Sequence, residues 1–261
     1  GGVDLGPCES ISLADLGITD GDLRETVLLP EVTAFSAEHA NGDVYLEIAA
    51  HARDHGMPNP GFDDEMLDEI RSQFSKFVDA EVIPQAQDIH RNDVLIPMSI
   101  LDQMSELGVF GLTIPEEYGG LGMTKVAMCV VTEELSRGYI GVGSLGTRSE
   151  IAAELIMGGG TEEQKQKWLP AIAAGEVLST AVFTEPNTGS DLAHLGTRAT
   201  KQEDGSYVIN GQKTWITHAV RADLMTVLAR TSVDEPGYRG LSMFLAEKTR
   251  RTGEDGEEEF V

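Results

Sequence analysis

The residues best suited to binding a ligand or to catalysis lie in two short segments about thirty residues apart. In the first, T-E-P-N-T-G-S-D, the residues Thr184, Gly189 and Ser190 offer hydroxyl and backbone donors to anionic or carbonyl oxygens. In the second, W-I-T, Trp215 supplies a flat aromatic face and Thr217 another hydroxyl. Donors around a polar edge, together with a stacking face that excludes water, are what a planar redox ring needs. The two segments together therefore predict a site for such a ring.

Each segment taken alone also has an ordinary structural explanation. Pro, Asn, Gly, Ser and Asp are common turn residues, and a Trp in a small β-domain more often belongs to the core. The position of the segments favours a site, because the apolar strand S-T-A-V-F runs directly into the first one and W-I-T ends a later predicted strand. Exposed donors at strand ends often form ligand sites. We therefore interpret both segments as binding segments.

Composition limits the classes of function. The chain has 261 residues, 41% of them hydrophobic, which is enough to bury a core in two modest domains or one large one. Its net charge of -25 argues against binding to nucleic acid or to an anionic membrane. No apolar run reaches the roughly 18 residues of a membrane span, and no secretory leader is expected. Two distant cysteines suit a reducing cytoplasm better than a disulfide framework.

Helices are predicted for the first part of the chain. Apolar residues at three- and four-residue spacing indicate a helical extension over residues 1–60, and M-P-N-P-G at 57–61 marks its end. A larger helical domain is predicted over residues 61–176. Its helices are expected over Asp63–Val82, from Pro97 to Gly108, from Thr124 to Arg137, over Ser149–Met157, and from a capping box at Thr161 and Gln164 past Pro170.

Strands are predicted for the rest of the chain. After Gly175 the hydrophobic period changes from helical to alternating, and Asp204-Gly205 marks a hairpin turn. The segment 207–217 reads as one strand with a turn or bulge at Asn210-Gly211. The predicted fold class is α+β, with an all-α part followed by a small antiparallel β-barrel or sandwich over residues 177–261.

Two other patterns are weak. Gly141 to Gly146 matches G-x-G-x-x-G, but it follows a helix instead of a strand, so we interpret it as a loop between helices. His51 and His55 with Glu47 do not have the H-E-x-x-H order of a zinc site, and we predict no metal. No arrangement typical of a serine or cysteine nucleophile can be assembled.

Two stretches of the β half closely resemble the flavin-binding middle domain of the acyl-CoA dehydrogenases. They are A-V-F-T-E-P-N-T-G-S-D and N-G-Q-K-T-W-I-T-H-A. In the helical half I-P-E-E-Y-G-G-L-G-M, E-E-L-S-R-G and G-T-E-E-Q-K-Q-K-W-L-P-A-I-A-A-G-E look like the N-terminal domain of that family. The resemblance covers residues 62 to about 250. G-S-L-G-T-R-S-E-I-A-A-E-L-I and the helical extension are most similar to the branch that acts on a short branched dicarboxylic acyl-CoA.

The resemblance implies an FAD-dependent oxidation of an acyl-CoA to its 2-enoyl-CoA. A carboxylate base removes the α-proton while a hydride passes to the flavin, and the electrons leave to an electron-transfer flavoprotein. A homo-oligomer, dimer or tetramer, is implied as well. Three functions are compatible with this fold: a dehydrogenase, an acyl-CoA oxidase or flavin monooxygenase, and a non-catalytic subunit.

The resemblance also implies which residues contact FAD. Thr184 is expected to bond the pyrimidine edge of the flavin, Thr217 to donate toward N5 and O4, and Ser190 also to touch the CoA. The expected cofactor contacts are Ala181, Val182, Phe183, Thr184, Gly189, Ser190, Trp215, Ile216 and Thr217. His218 stands where the family often has Asn, which leaves a detail of this turn open.

Arg148 is a candidate substrate-binding residue. It lies in a predicted loop that in the family borders the acyl pocket, and a guanidinium can receive a carboxylate bidentately. The alternative is an arginine at a helix start, paired with Glu150 or Glu154. No acid in this chain matches the catalytic Glu of the family, which is expected beyond Val261, so we predict no catalytic base here.

Overall fold

The computed structural model describes residues 17–26, 28–56 and 64–250, which belong to two compact units, Gly1–Asp63 and Asp64–Val261. The first unit contains helices α1 (Asp20–Glu25), α2 (Pro30–His39) and α3 (Gly42–His55). Capping residues fix two of these starts, because Thr19 and Asp22 form a capping box and Asn41 accepts from the first amides of α3. The predicted boundary at 57–61 lies outside the described residues.

The histidine pair of α3 forms a local contact. The rings of His51 and His55 stack with their centroids 4.4 Å apart, and His55 Nδ1 lies 3.2 Å from the His51 carbonyl oxygen. Across residues 17–26, 28–56 and 64–250, no group of three or more His, Cys, Asp or Glu side chains is placed to hold a metal ion.

The second unit begins with the helical part. Its elements are α4 (Glu65–Phe77), a π-helical turn (Val78–Val82), α5 (Ile83–Arg91), α6 (Met98–Glu106), α7 (Lys125–Gly138), α8 (Ile140–Gly159) and α9 (Glu162–Ala173), with 3-10 turns at Val109–Gly111 and Glu116–Tyr118. Predicted caps are confirmed at Thr124 and at the Thr161–Gln164 box, and Gly108 ends α6 with a φ of 74°. None of the helices described is long and apolar enough to span a membrane.

The helix predicted over Asp63–Val82 does not end at Val82. It continues through the π-helical turn into α5, and the reason is local. Pro84 has no amide hydrogen and its ring would collide with the Ala80 carbonyl in a regular helix, so a wider turn relieves both problems. The same turn packs against Gly138 of α7, where a Cβ atom would lie 2.6 Å from Val78 Cγ1.

The predicted loop over Gly141–Gly146 is wrong. These residues form the first turns of α8, and Arg148 therefore lies inside that helix and not in a loop. The glycines serve close packing: a Cβ at Gly143 would collide with Ser136 of α7, and one at Gly146 would lie 2.9 Å from Val109 Cγ1. Because small residues let helix backbones approach, the missing side chains mark a helix–helix contact.

In the part of the chain that the structure describes, a five-stranded sheet follows, made of β1 (Ser179–Val182), β2 (Arg198–Lys201), β3 (Tyr207–Asn210), β4 (Leu224–Arg230) and β5 (Leu241–Glu247). β4 is central, pairing with β5 along its length, with β1 from Leu224 to Val227 and with β2 at Arg230. The β2–β3 hairpin turns at Asp204-Gly205 as predicted.

Two details of the predicted sheet need correction, although the α+β class is confirmed. The sheet is mixed and not wholly antiparallel, because β1 and β2 both run parallel to β4. The predicted strand over 207–217 ends at Asn210. At Gly211 the chain passes so close to Thr197 that no side chain would fit, and it then leaves the sheet as an irregular segment toward Trp215.

Apolar packing joins the helices to the sheet. One core cluster lies among the first helices of this unit, and a second includes Ile156 of α8, Trp168 of α9 and Leu224 of β4. The Ser179 hydroxyl of β1 also donates to the Arg148 carbonyl of α8 over 3.3 Å. The start of β1 is therefore held against α8, which places the end of the strand relative to the helices.

Candidate functional site

The first predicted segment is a closed turn at the end of a buried strand. β1 ends at Val182, a residue that is only 5% exposed. The Glu185 amide donates to the Thr188 carbonyl over 2.8 Å, and the Thr188 amide returns a bond of 3.1 Å to Glu185. Thr184 is half-buried just before this turn.

The second predicted segment lies directly beside the first. The Thr214 amide donates to the Thr184 carbonyl over 3.0 Å, and the Thr180 hydroxyl donates to the Thr217 carbonyl over 2.7 Å. These two bonds connect β1 and the residues that lead into the turn to the segment Thr214–Thr217. The structure thus brings Thr184 and Thr217 into one neighbourhood, in which Ala181, Phe183 and Ile216 are half-buried.

Trp215 is not a core residue. Its side chain is 86% exposed and its φ is 57°, in the left-handed region that favours glycine. His218, three residues later, also has a positive φ of 42°. Each such non-glycine conformation costs on the order of 1–3 kcal/mol, and it persists at sites where the surroundings enforce it. An exposed indole on a strained backbone fits a ligand wall better than it fits a packing role.

Gly189 and Ser190 are exposed in the bend that follows the turn. A Cβ at Gly189 would meet nothing within 4 Å, so the glycine is not required by packing inside this chain. Small, exposed residues with available amides and a hydroxyl suit the approach of an anionic group. Their predicted contacts with the FAD diphosphate and CoA stay predictions.

Arg148 of α8 is a half-buried cation with no counter-ion among the residues that the structure describes. Its Nη2 lies 3.4 Å from Ser144 Oγ, while its Nε is buried and has no hydrogen-bond partner in the part of the chain that the structure describes. The alternative pairing with Glu150 or Glu154 is not found in the described part of the chain, where both carboxylates bind Lys125. Burial lowers the pKa of Arg148 from its usual value.

His218 lies close to Arg148. Both of its ring nitrogens are buried, and neither makes a well-aligned hydrogen bond among the described residues, although the Ser179 backbone lies close enough to act on the ring. Burial is the main cause that lowers the pKa of His218 to about 4, and the charges of Arg148 and Arg221 act in the same direction. The Ser179 backbone and Asp223 oppose the shift only in part. At neutral pH the site therefore contains a neutral imidazole beside a guanidinium.

Sequence reasoning missed an ion pair beside the turn. Glu185 and Lys213 contact each other over 3.0 Å, and each side chain is only 10% exposed. Burial acts to raise the pKa of Glu185, but hydrogen bonds from Thr197, Gly196 and Lys213 outweigh it and hold the pKa at about 2. No periodic signal in the sequence marks this pair, because its members are 28 positions apart.

Comparison with known proteins identifies the family. The N-terminal domain model of the acyl-CoA dehydrogenases matches residues 64–176, and their middle domain model matches residues 180–256. The chain belongs to the acyl-CoA dehydrogenase family. The boundary between the two matches falls where the helical part gives way to β1.

Among its relatives is (2S)-methylsuccinyl-CoA dehydrogenase of Cereibacter sphaeroides, 54% identical over 259 residues, which covers 98% of this chain and 46% of the relative. Mitochondrial isovaleryl-CoA dehydrogenase of Pongo abelii is 36% identical over 183 residues, which covers 69% of this chain and 43% of the relative. The chain thus spans about half the length of the curated relatives it matches.

Solved structures of the family have the same fold. An acyl-CoA dehydrogenase from Geobacillus kaustophilus matches with a TM-score of 0.67 and 36% identity, over 73% of this chain and 50% of that one. A glutaryl-coenzyme A dehydrogenase in complex with glutaryl-CoA matches with a TM-score of 0.67 and 32% identity, over 73% and 48%. A Bacillus anthracis acyl-CoA dehydrogenase complexed with FAD matches with a TM-score of 0.63 and 33% identity, over 73% and 32%.

Proposed function

We propose that this chain supplies the flavin- and acyl-binding part of an FAD-dependent dehydrogenase that converts an acyl-CoA thioester to its 2-enoyl-CoA. The observation that carries the proposal is the junction of the two segments, where Thr184 bonds to Thr214 beside an exposed Trp215. The donor set fits FAD, because hydroxyls and amides meet the polar edge of the flavin while the indole covers a face.

The residues of the site divide the work of binding. FAD, when bound, supplies the hydride acceptor. The Thr184 hydroxyl would hold the pyrimidine edge, and the Thr217 hydroxyl would donate toward N5 and O4, where charge gathers. Trp215 would exclude water from the ring, and Gly189 and Ser190 would meet the diphosphate, with Ser190 also at the CoA. We assign no catalytic base to residues of this chain.

The proposed substrate is a short branched or dicarboxylic acyl-CoA such as methylsuccinyl-CoA. Arg148 has no counter-ion among the residues that the structure describes, and beside it the His218 imidazole has both nitrogens buried without a well-aligned hydrogen bond. Since a buried cation is costly unless it is paired, a carboxylate of the substrate would complete the site. The similarity to a methylsuccinyl-CoA dehydrogenase supports this substrate class.

The test is a substrate titration of the full-length protein. Methylsuccinyl-CoA added without oxygen is expected to bleach the visible absorbance of the bound flavin, and an electron-transfer flavoprotein is expected to restore it. Rapid recovery in air would instead indicate an oxidase or monooxygenase. A preparation that takes up no FAD would indicate a non-catalytic subunit. Gel filtration with light scattering would test the proposed dimer or tetramer.

A further inference from the structure

Glu185 holds three stretches of backbone together from one buried carboxylate. Its Oε2 accepts from the Gly196 amide over 2.6 Å, and its Oε1 accepts from the Thr197 amide over 2.9 Å. Those two residues lead into β2, whereas Glu185 itself closes the turn after Thr184. The carboxylate therefore fixes the turn relative to the sheet.

Lys213 adds the third stretch. Its ammonium group donates to Glu185 Oε1 over 3.0 Å and to the Phe183 carbonyl over 2.8 Å. β1 has ended at Val182, so no strand bond reaches the Phe183 carbonyl, and Lys213 supplies that bond. The next residue, Thr214, donates its amide to Thr184. The ammonium thus ties the segment before Trp215 to the backbone that carries Thr184.

We infer that Glu185 and Lys213 are a positioning pair that sets Thr184 and Trp215 in the arrangement that binds the cofactor. The inference rests on the proposed flavin function. Neither side chain needs to touch FAD: Glu185 follows Thr184 directly, and Lys213 precedes Trp215 by two residues. A shift at either charged group would move one binding segment against the other.

The energetics favour positioning over general stabilisation. A buried ion pair is often no more stabilising than a well-packed apolar pair of the same volume, because the desolvation of two charges offsets their attraction. The pair instead fixes the orientation of the backbone, since its hydrogen bonds to the Gly196 and Thr197 amides and to the Phe183 carbonyl are directional. Direction is what a site needs when its two halves come from separate loops.

A double-mutant cycle on FAD affinity tests the inference. FAD dissociation constants of the full-length apoprotein would be measured by flavin fluorescence for wild type, Lys213→Met, Thr184→Ala and the double variant. Lys213→Met is expected to raise the dissociation constant about tenfold or more, and Thr184→Ala is then expected to add little, because residues coupled through one network are not additive. Lys213→Arg, which keeps the charge and its donors, is expected to recover part of the affinity.

A matched control separates positioning from lost stability. Glu134 is also a buried carboxylate, bonded to Arg137 over 2.9 Å in the helical part, and Arg137→Met breaks that pair without touching the two segments. Lys213→Met is expected to weaken FAD binding where Arg137→Met does not, and to speed hydrogen exchange of the amides at residues 214–218 in the apoprotein.

Two results would overturn the inference while leaving the flavin function intact. One is an FAD dissociation constant of Lys213→Met within about twofold of wild type, and the other is full additivity with Thr184→Ala. A wild-type protein that binds no FAD would overturn the proposed function and this inference with it. Glu185→Gln repeats the test from the other side, because it keeps the shape and removes the charge.

Discussion

The buried hydroxyl of Thr180, in the middle of β1, donates to the main-chain carbonyl of Thr217 over 2.7 Å. This bond crosses from the sheet to the irregular segment that follows Gly211, where no strand pairing holds the chain. The position of Thr217 is therefore set by a side chain of the strand that leads to Thr184. The two proposed flavin donors share one support.

Thr180→Val is expected to show whether the bond from Thr180 to Thr217 serves FAD binding or only the stability of the fold. Valine keeps the volume but leaves the Thr217 carbonyl without its donor, which costs about 1–3 kcal/mol if the carbonyl stays buried. Thr226→Val is the matched control, because Thr226 is equally buried and its hydroxyl bonds to Thr180 instead of to W-I-T. The temperature of thermal unfolding should fall in both variants, whereas the affinity for FAD should fall only in Thr180→Val. Equal FAD affinity in both would mean that Thr217 holds its place without the bond.

Trp215→Gly is expected to stabilise the apoprotein and weaken cofactor binding at once. The indole is 86% exposed and buries little surface, while glycine relieves a φ of 57° that costs a tryptophan about 1 kcal/mol or more. Calorimetry of the apoprotein and an FAD titration would measure the two effects. Tyr238→Ala removes another aromatic residue, 74% exposed, and should leave FAD affinity unchanged. A loss of apoprotein stability in Trp215→Gly would show that the indole packs against something in the complete protein.

The sequence predicted the binding segments because their signals are local. A strand that runs into T-E-P-N-T-G-S-D and a hairpin at Asp204-Gly205 depend on neighbouring residues, and so do the caps at Thr124 and Thr161. The structure has these features at the predicted positions. Their contacts with FAD are inferred from the family resemblance and stay predictions.

The missed features all depend on tertiary contacts. The glycines from Gly141 to Gly146 look like a loop in sequence, yet they lie in a helix, where Gly143 packs against Ser136 of α7 and Gly146 against Val109. Glu185 and Lys213 are ordinary charged residues until the fold brings them together. His218 differs from the usual residue of its motif, and that departure was the one signal that sequence alone offered.

Arg148→Met is expected to change which substrates the full-length protein uses. Loss of a charge-assisted contact worth about 1.5–3 kcal/mol corresponds to a KM for a dicarboxylic acyl-CoA raised about 10- to 150-fold. Monocarboxylic acyl-CoA of similar length should be used as well as before or better. Arg148→Lys should recover only part of the loss, because an ammonium cannot form the bidentate pair. Steady-state kinetics on both substrates measure this, and unchanged use of methylsuccinyl-CoA with no gain on the monocarboxylic substrate would rule Arg148 out.

The ionised form of Glu185 should stabilise the fold relative to its protonated form, except in strong acid. Its pKa of about 2 lies below the ordinary 4.5, so its contribution is complete above about pH 4.5 and is lost as the pH falls toward 2. Glu185→Gln should therefore flatten the dependence of the unfolding free energy on pH in that acid range. Denaturant titrations across it measure the slope. A slope as steep in Glu185→Gln as in wild type would assign the acid sensitivity to other carboxylates.

His218 should produce a separate loss of stability on acidification, in a pH range above that of Glu185. The pKa of its side chain is lowered from 6.5 to about 4. Between these two pH values the imidazole is therefore protonated in the unfolded chain and neutral in the folded protein. The unfolding free energy should accordingly be full above about pH 6.5 and fall as the pH drops toward 4, by about 3 kcal/mol at most. His218→Gln removes the titrating group and should flatten this range while leaving the range below pH 4.5 to Glu185. A bound dicarboxylic acyl-CoA, whose carboxylate would face the imidazole beside Arg148, should make this loss smaller and end it at a higher pH, because a nearby anion raises the pKa of the ring in the folded protein and not in the unfolded chain. If the ligand leaves the pH dependence where it was, the carboxylate does not reach His218.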